Sequence, residues 1–462
     1  KAKNFLSKGD VIEAENCFQS ILNKYPKNIR ALEGLKTIRQ NSSPAEVNFN
    51  QCVKKLIEYY NARQYSELIL FGEKVALQFP EKVIIKNIIG AGYTALNQFS
   101  NAINHYKAAL KLEPKNAEVL NNLGLTFKAI GDFKKANECF ENSISIKPNF
   151  AEAFNNMALS LKEERKFEKA IISLEKAIAL KNNYAEAYYN LGNVYNLLGE
   201  LEKSINMFTR AIDIKSDYFD AYNNLGAVYN LKKDYDKAYQ NIQKAISLNP
   251  NNADAYNNLG TSALNLNKED EAIAHYNKAI SIDPKLIIAY SNLCGLFEKS
   301  NNLKEFENIL EKTKELKLDQ FGEIKFHEAQ LFSRKKDFDR SISLLKSIDD
   351  NEISEKTKTN KYGLLGKDFD KVQNYKEAFK CFQKTNELVK VGVEYKQFNP
   401  TIYQEEILEL INSYSKAKKN SWVNYHQKLN FQPVFLVGFP RSGTTLLDTI
   451  LSSHSNIITL EE

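Results

Sequence analysis

The stretch AEAYYNLGNVYNLLGELEKSINMFTRAIDIKSDY, residues 185–218, decides the fold of this chain because its pattern recurs along the sequence. Close copies begin at residues 117, 151, 219 and 253, so each copy starts 34 residues after the one before it. Weaker copies begin near residues 49, 83, 287, 322 and 359. A fixed period of this length indicates an array of small units, each of which buries its apolar face against its neighbours.

Each copy has the pattern of two amphipathic helices joined by a short turn. Small residues recur at the eighth, twentieth and twenty-seventh positions, where the absence of a bulky side chain lets helices approach closely. The glycines at the eighth position are Gly90, Gly124, Gly192, Gly226 and Gly260. Proline cannot occupy a helix interior, and it marks the end of the second helix in several units. These prolines are Pro80, Pro114, Pro148, Pro250 and Pro284.

The period and its small residues resemble the tetratricopeptide repeat, a helix-turn-helix unit that stacks into a superhelix. The resemblance implies an all-α superhelix, an α-solenoid, of about ten units over residues 49–392, with the best copies from 117 to 286. A partial repeat and a linker would occupy residues 1–48, and a capping or connecting helix would occupy 393–430.

Asparagine occupies the sixth position of six consecutive units. The six residues are Asn122, Asn156, Asn190, Asn224, Asn258 and Asn292. First helices line the concave face of this kind of superhelix, so we expect a column of amides along the inner groove. An amide side chain offers one acceptor and two donors, and it can pair with the backbone of an extended peptide without reading that peptide's side chains.

This column resembles the asparagine ladder in the repeat domain of O-linked N-acetylglucosamine transferase, which clasps polypeptide substrates. The resemblance implies a polypeptide partner in the groove. The alternative is that asparagine is simply permitted at an exposed position of an asparagine-rich chain. We expect the column to end in the unit from 322, where the corresponding residue is His327.

A different pattern begins at residue 431. The run from Val434 to Val437 is typical of a buried parallel strand, and GFPRSGTTLLDTILSSH, residues 438–454, then predicts a glycine-containing loop that enters a helix. Such a loop directs backbone N–H groups and the positive end of the helix dipole at an anion. The lysine of the G-x-x-x-x-G-K-[ST] template is replaced by Thr444, which disfavours a nucleoside triphosphatase, and a cation is present earlier as Arg441.

The string PRSGTT resembles the 5'-phosphosulfate loop of sulfotransferases. It is most similar to the tyrosylprotein sulfotransferases and to bacterial sulfotransferases fused to tetratricopeptide repeats. The resemblance implies that residues 431–462 begin an α/β P-loop-like sulfotransferase domain, incomplete in this chain, whose sulfuryl donor is 3'-phosphoadenosine 5'-phosphosulfate (PAPS). It assigns the cofactor to Arg441, Ser442, Gly443, Thr444 and Thr445.

The same resemblance assigns catalysis to Arg441 and to Glu462, the latter as the base that deprotonates the acceptor. The family's glycine before the two glutamates is Leu460 here. The acceptor stays open between a protein tyrosine, another hydroxyl and a carbohydrate. The alternative function is a non-catalytic scaffold for protein interactions; a glycosyltransferase would share the repeats but has no use for this loop.

Composition limits the remaining classes of function. The net charge of +6 is spread along the chain without a dense basic block, so we expect neither nucleic acid nor a membrane as partner. The five cysteines form no C-x-x-C pair, so we expect no metal site and no disulfide framework. The sequence has no signal-peptide core, which favours the cytoplasm. The start at Lys1 and the end at Glu462 are typical of a fragment, and no pattern indicates an oligomeric state.

Overall fold

The computed structural model describes residues 2, 5, 11–24, 28, 30–34 and 44–391. Every regular element in that part of the chain is an α-helix. The chain divides after Val391 into two units, and the helices described here belong to the first of them. None of the helices in these ranges combines the length and apolarity needed to cross a membrane.

The helices follow one another with short connections. The first part contains α1 (Val11–Lys24), α2 (Pro44–Asn61), α3 (Tyr65–Gln78), α4 (Val83–Ala95), α5 (Phe99–Leu112), α6 (Ala117–Ile130), α7 (Phe133–Ile146), α8 (Ala151–Glu163), α9 (Phe167–Leu180), α10 (Ala185–Leu197) and α11 (Leu201–Ile214). The second part contains α12 (Phe219–Leu231), α13 (Tyr235–Leu248), α14 (Ala253–Asn265), α15 (Glu269–Ile282), α16 (Ile287–Lys299), α17 (Leu303–Glu315), α18 (Gly322–Arg334), α19 (Phe338–Lys346), α20 (Glu355–Lys371) and α21 (Tyr375–Val391).

The helices from α2 to α21 form ten hairpins that coincide with the ten units predicted from the sequence period. Within each hairpin the two helices pack on each other, and each hairpin packs on the next, so the fold is a helical solenoid. The predicted proline stops are confirmed, since α5 ends at Leu112 before Pro114 and α15 ends at Ile282 before Pro284. The first hairpin begins earlier than expected, at Pro44, because proline is well suited to the first turn of a helix.

The turn inside every hairpin contains one residue in the left-handed region, always the fifteenth of its unit. Two of these residues are glycines, Gly131 and Gly199, with φ values of 86° and 75°. The others carry side chains; they are Arg63, Asn97, Arg165, Lys233, Asn267, Asn301, Lys336 and Gln373. The turn therefore has one fixed geometry, which the stacking of the helices imposes even on residues that seldom adopt it.

A large side chain of the second helix fills the space left by each eighth-position glycine. The ring of Phe208 lies against Gly192, and the ring of Tyr276 lies against Gly260. Both rings are fully buried. Because the ring occupies the place where a methyl group would otherwise lie, the glycine sets how closely the two helices of a unit pack.

Candidate peptide-binding face

The first helices of neighbouring units contact each other and form one continuous face. At 100° per residue, the second, ninth and thirteenth positions of these helices point outward from that face, and the fifth and sixth positions lie on its two flanks. The six predicted asparagines therefore lie in the seams between neighbouring first helices. We call this face the first-helix face.

Each of these asparagines donates a hydrogen bond from Nδ2 to a side chain of the preceding unit. Asn190 donates to Oδ1 of Asn155 at 2.8 Å, and Asn292 donates to Oδ1 of Asn257 at 2.8 Å. The same bond recurs between Asn122 and Asn87 at 3.0 Å, between Asn156 and Asn121 at 3.0 Å, and between Asn258 and Asn223 at 3.1 Å. These hydrogen bonds, which we call the amide ladder, join the fifth position of one unit to the sixth position of the next.

The unit from 185 varies this arrangement because its fifth residue is Tyr189. Asn224 donates to the hydroxyl oxygen of Tyr189 at 3.1 Å and to Oδ1 of Asn193 at 2.9 Å. The pKa of Tyr189 is raised above its ordinary value by burial and by the nearby carboxylate of Asp220, although the hydrogen bonds from Asn193 and Asn224 oppose the shift. The hydroxyl therefore stays protonated and accepts from Asn224.

The ladder does not stop at the unit from 322, which corrects the expectation from the sequence. Nε2 of His327 lies 2.8 Å from Oγ of Ser291, the fifth residue of the preceding unit. Nδ1 of His327 lies 2.7 Å from Oε1 of Gln330, so Nδ1 carries the proton and Nε2 accepts from the serine hydroxyl. Complete burial lowers the pKa of His327 to about 4, and the neutral ring takes the place of an amide.

The ladder amides are less exposed than a surface position would be. Asn190 is buried and the other five are half-buried. Within the described part of the chain, the side-chain oxygens of Asn156, Asn190 and Asn258 accept no hydrogen bond. Since the seam bond uses only one of the two N–H groups, each of these amides keeps one donor and its acceptor for another group, and its orientation is fixed.

A second row of contacts lies deeper in the same seams, between the twelfth position of one unit and the tenth of the next. Thr94 and Thr126 are joined at 2.9 Å, and Ser262 donates to Oδ1 of Asn230 at 2.9 Å. Oδ1 of Asn196 is buried without a partner because the matching tenth position is Val228, which cannot donate. The deeper row is therefore discontinuous, and only the amide ladder continues through every seam from Asn87 to His327.

The acceptors at the fifth position are members of the amide ladder that the sequence analysis missed. Their signal is a repeated Asn-Asn doublet, present at 121–122, 155–156, 223–224 and 257–258. A doublet at the fifth and sixth positions supplies one side chain to each flank of a first helix, which is what a ladder between neighbouring helices requires.

The predicted cofactor and catalytic residues lie outside the described residues. They are Arg441, Ser442, Gly443, Thr444, Thr445 and Glu462. The capping segment at 393–430 lies outside them as well. In the described ranges no group of three or more histidine, cysteine or acidic side chains could hold a metal ion.

Comparison with known proteins identifies two types of sequence in this chain. Profiles described as TPR repeat match residues 90–131, 161–199 and 192–233, and profiles described as tetratricopeptide repeat match 117–150 and 217–285. A profile of the sulfotransferase family matches residues 433–462.

Individual relatives cover only part of the chain. An uncharacterized protein of Aquifex aeolicus (strain VF5) is 28% identical over 128 residues, which are 26% of this chain and 15% of that protein. The crystal structure of MamA protein is 30% identical, with a TM-score of 0.34, and the match covers 37% of this chain and 92% of that one. YrrB, a TPR protein with an unusual peptide-binding site, is 18% identical with a TM-score of 0.34, and the match covers 40% of this chain and 95% of that one. Together with the ten stacked helix hairpins, the repeat profiles show that this chain contains an array of tetratricopeptide repeats.

Proposed function

We propose that the repeat array binds an extended polypeptide along the first-helix face, and that a protein carrying this array and a complete sulfotransferase domain uses the array to present an acceptor hydroxyl for sulfuryl transfer from PAPS. The observation that supports peptide binding is the amide ladder. Its side chains are held in one orientation by their seam bonds, and each of Asn156, Asn190 and Asn258 keeps a donor and an acceptor. An oriented amide loses little conformational entropy when it binds a peptide group.

The second half rests on the PRSGTT loop and on the sulfotransferase profile that matches residues 433–462. The side chains in this loop fit an anionic cofactor, since Arg441 is a cation and Ser442, Thr444 and Thr445 each supply a hydroxyl donor. PAPS supplies the sulfuryl group. Arg441 would neutralise the phosphosulfate and the phosphate that leaves. Glu462 would accept the proton of the acceptor hydroxyl as the new S–O bond forms and the bond between sulfur and the 5'-phosphate oxygen breaks, which releases adenosine 3',5'-bisphosphate.

The peptide-binding half is tested with a double substitution in the ladder. We expect Asn190→Ala with Asn258→Ala to weaken binding of the full 462-residue chain to peptides selected from a random 12-residue library by roughly tenfold, because each lost amide removes about 0.5–1.5 kcal/mol of hydrogen bonding. Affinity is measured by fluorescence anisotropy well below the melting temperature of the variant.

The control for this variant is Ser262→Ala. It removes a buried hydrogen bond between two units, from Ser262 to Asn230, and leaves the ladder intact. It should lower the melting temperature without changing peptide affinity. Equal weakening in the control and in the double variant would mean that the loss of binding is only a loss of stability.

The catalytic half is tested in a chain that carries a complete sulfotransferase domain after the array. We expect Arg441→Ala to weaken PAPS binding by about tenfold or more, since a hydrogen bond to a charged group contributes about 1.5–3 kcal/mol. Calorimetric titration with PAPS measures the effect, and Lys169→Ala, on the second helix of the unit from 151, is the matched control. Unchanged binding in the Arg441 variant would favour the alternative, a scaffold that does not transfer sulfate.

A further inference from the structure

The first-helix face has different chemistry along its two edges in the units that begin at 185, 219 and 253. The second position of these units is acidic, and we call Glu186, Asp220 and Asp254 the acidic row. The thirteenth position of the first two units is leucine, and we call Leu197 and Leu231 the leucine pair. Both positions point outward from the face, on either side of the amide ladder.

Two members of the acidic row carry a negative charge without an ion-pair partner among the described residues. At the same position of earlier units, Glu118 lies 3.5 Å from Lys147, and Glu152 lies 3.5 Å from Lys181. In the described part of the chain, Asp220 and Asp254 have no ion-pair partner, and both are exposed. The negative potential at this edge therefore favours a cationic partner and opposes an anionic one.

Both side chains of the leucine pair are largely exposed. Leu197 is 60% exposed and Leu231 is 61% exposed. Other units place Ala129, Glu163 or Asn265 at this position, so the leucines occupy the units from 185 and 219, next to the unpaired acids of the units from 219 and 253. Covering two such side chains with an aliphatic group removes apolar surface from water.

The acidic row and the leucine pair lie on opposite sides of the path that a peptide along the amide ladder takes. The second and thirteenth residues of a helix are separated by about 16 Å, since each residue rises about 1.5 Å. Along the helix axis, a peptide that follows the amide ladder lies about 5 Å from the acidic row and about 11 Å from the leucine pair. Successive side chains of an extended peptide point to opposite sides, so one set approaches the acidic row and the alternate set approaches the leucine pair.

We propose that the polypeptide held by this face carries lysine or arginine in alternation with aliphatic residues. This inference rests on the proposed peptide-binding function and adds the class of sequence that the face selects. Basic side chains pair with Asp220 and Asp254, aliphatic side chains cover Leu197 and Leu231, and the ladder holds the backbone between them. An acidic peptide meets uncompensated carboxylates, and a peptide with its basic and aliphatic residues in separate blocks cannot satisfy both edges at once.

The test compares three fluorescein-labelled ten-residue peptides on the full 462-residue chain by fluorescence anisotropy. One alternates lysine and leucine, one alternates glutamate and leucine, and one has five lysines followed by five leucines. We expect the alternating lysine peptide to bind at least tenfold more tightly than the other two. Its affinity should fall as salt is raised, because exposed ion pairs are screened.

Two double variants then assign the edges. Asp220→Asn with Asp254→Asn should weaken binding of the alternating lysine peptide by about fivefold at low salt and remove most of its salt dependence. Leu197→Ser with Leu231→Ser should weaken it at low and high salt alike. The control is Glu118→Gln with Glu152→Gln, whose carboxylates are already paired, and it should change affinity by less than twofold.

The outcomes separate this inference from the function on which it rests. Equal binding of all three peptides, weakened by Asn190→Ala with Asn258→Ala, would leave the amide ladder as a peptide site and overturn the sequence preference. Unchanged affinity in the Asp220 and Asp254 variant would overturn the preference as well. If no peptide binds and the random library yields no binder, the proposed function itself fails.

Discussion

Replacing Gly226 by alanine is expected to lower the free energy of unfolding by about 2 kcal/mol, the cost of overpacking less the gain in helix propensity. A methyl carbon on Gly226 would lie 2.3 Å from Cγ1 of Ile242 and 3.1 Å from the backbone oxygen of Ala238. Ile242 is fully buried and cannot move aside without displacing its own neighbours. Urea unfolding followed by circular dichroism measures the change.

Substitution of Gly295 is the control, because it should change the free energy of unfolding in the opposite direction. It also lies within a first helix, but no other atom lies within 4 Å of the place where its methyl group would be. Gly295→Ala should therefore stabilise the protein by up to about 1 kcal/mol, the difference in helix propensity. Adding Ile242→Val to Gly226→Ala should recover part of the lost stability, because it removes a methyl group near the clash. Equal effects at the two glycines would contradict the packing described here.

Acidification from pH 6.5 to pH 4 is expected to remove roughly 3 kcal/mol of stability through His327 alone, at about 1.36 kcal/mol for each unit of pKa shift. The ring has an ordinary pKa of 6.5 when unfolded and a pKa of about 4 in the fold, where burial disfavours its charged form. Between these values the unfolded chain binds a proton that the folded chain does not. The contribution of His327 is therefore complete above pH 6.5 and is lost as pH falls towards 4.

His327→Asn isolates this effect, because asparagine is the residue of the same position in six other units and can donate to Ser291. The variant should stay folded, and its stability should change less between pH 6.5 and pH 4 than that of the original chain. His275→Asn, at a half-buried ring on α15, is the comparison. Denaturation midpoints at three pH values measure the slope. The same slope in the original chain and in His327→Asn would contradict the assigned burial of His327.

The fold could be predicted from the sequence because each unit repeats the same pattern of helix-packing and helix-ending residues. The glycine at the eighth position and the proline after the second helix placed the hairpins, and the helices end where these residues predict. The geometry of the turn between the two helices was harder to predict from the sequence. A left-handed residue is suggested at Gly131 and Gly199, but at Arg63 or Lys336 the conformation comes from the stacking of the helices and leaves no signal in the residue type.

The site was predicted only in part because its bonds join different units. The six asparagines of the column are visible in a single row of the repeat alignment. Their partners, such as Asn155 and Tyr189, lie 35 residues earlier, and a pattern within one unit does not show which flank faces the neighbour. The continuation through His327 was missed because a histidine does not look like an asparagine, although a neutral ring makes the same contact. The roles of Arg441 and Glu462 stay predictions.

The amide ladder has a consequence for how the protein is made. Side-chain hydrogen bonds in the described residues join positions at most 36 residues apart, the longest being the one between Ser291 and His327. The loops that must close during folding are therefore short, and closing them costs little chain entropy. As the polypeptide leaves the ribosome, each new hairpin can dock on the one before it within seconds of its synthesis. The first-helix face can thus be complete before residues 431–462 are translated.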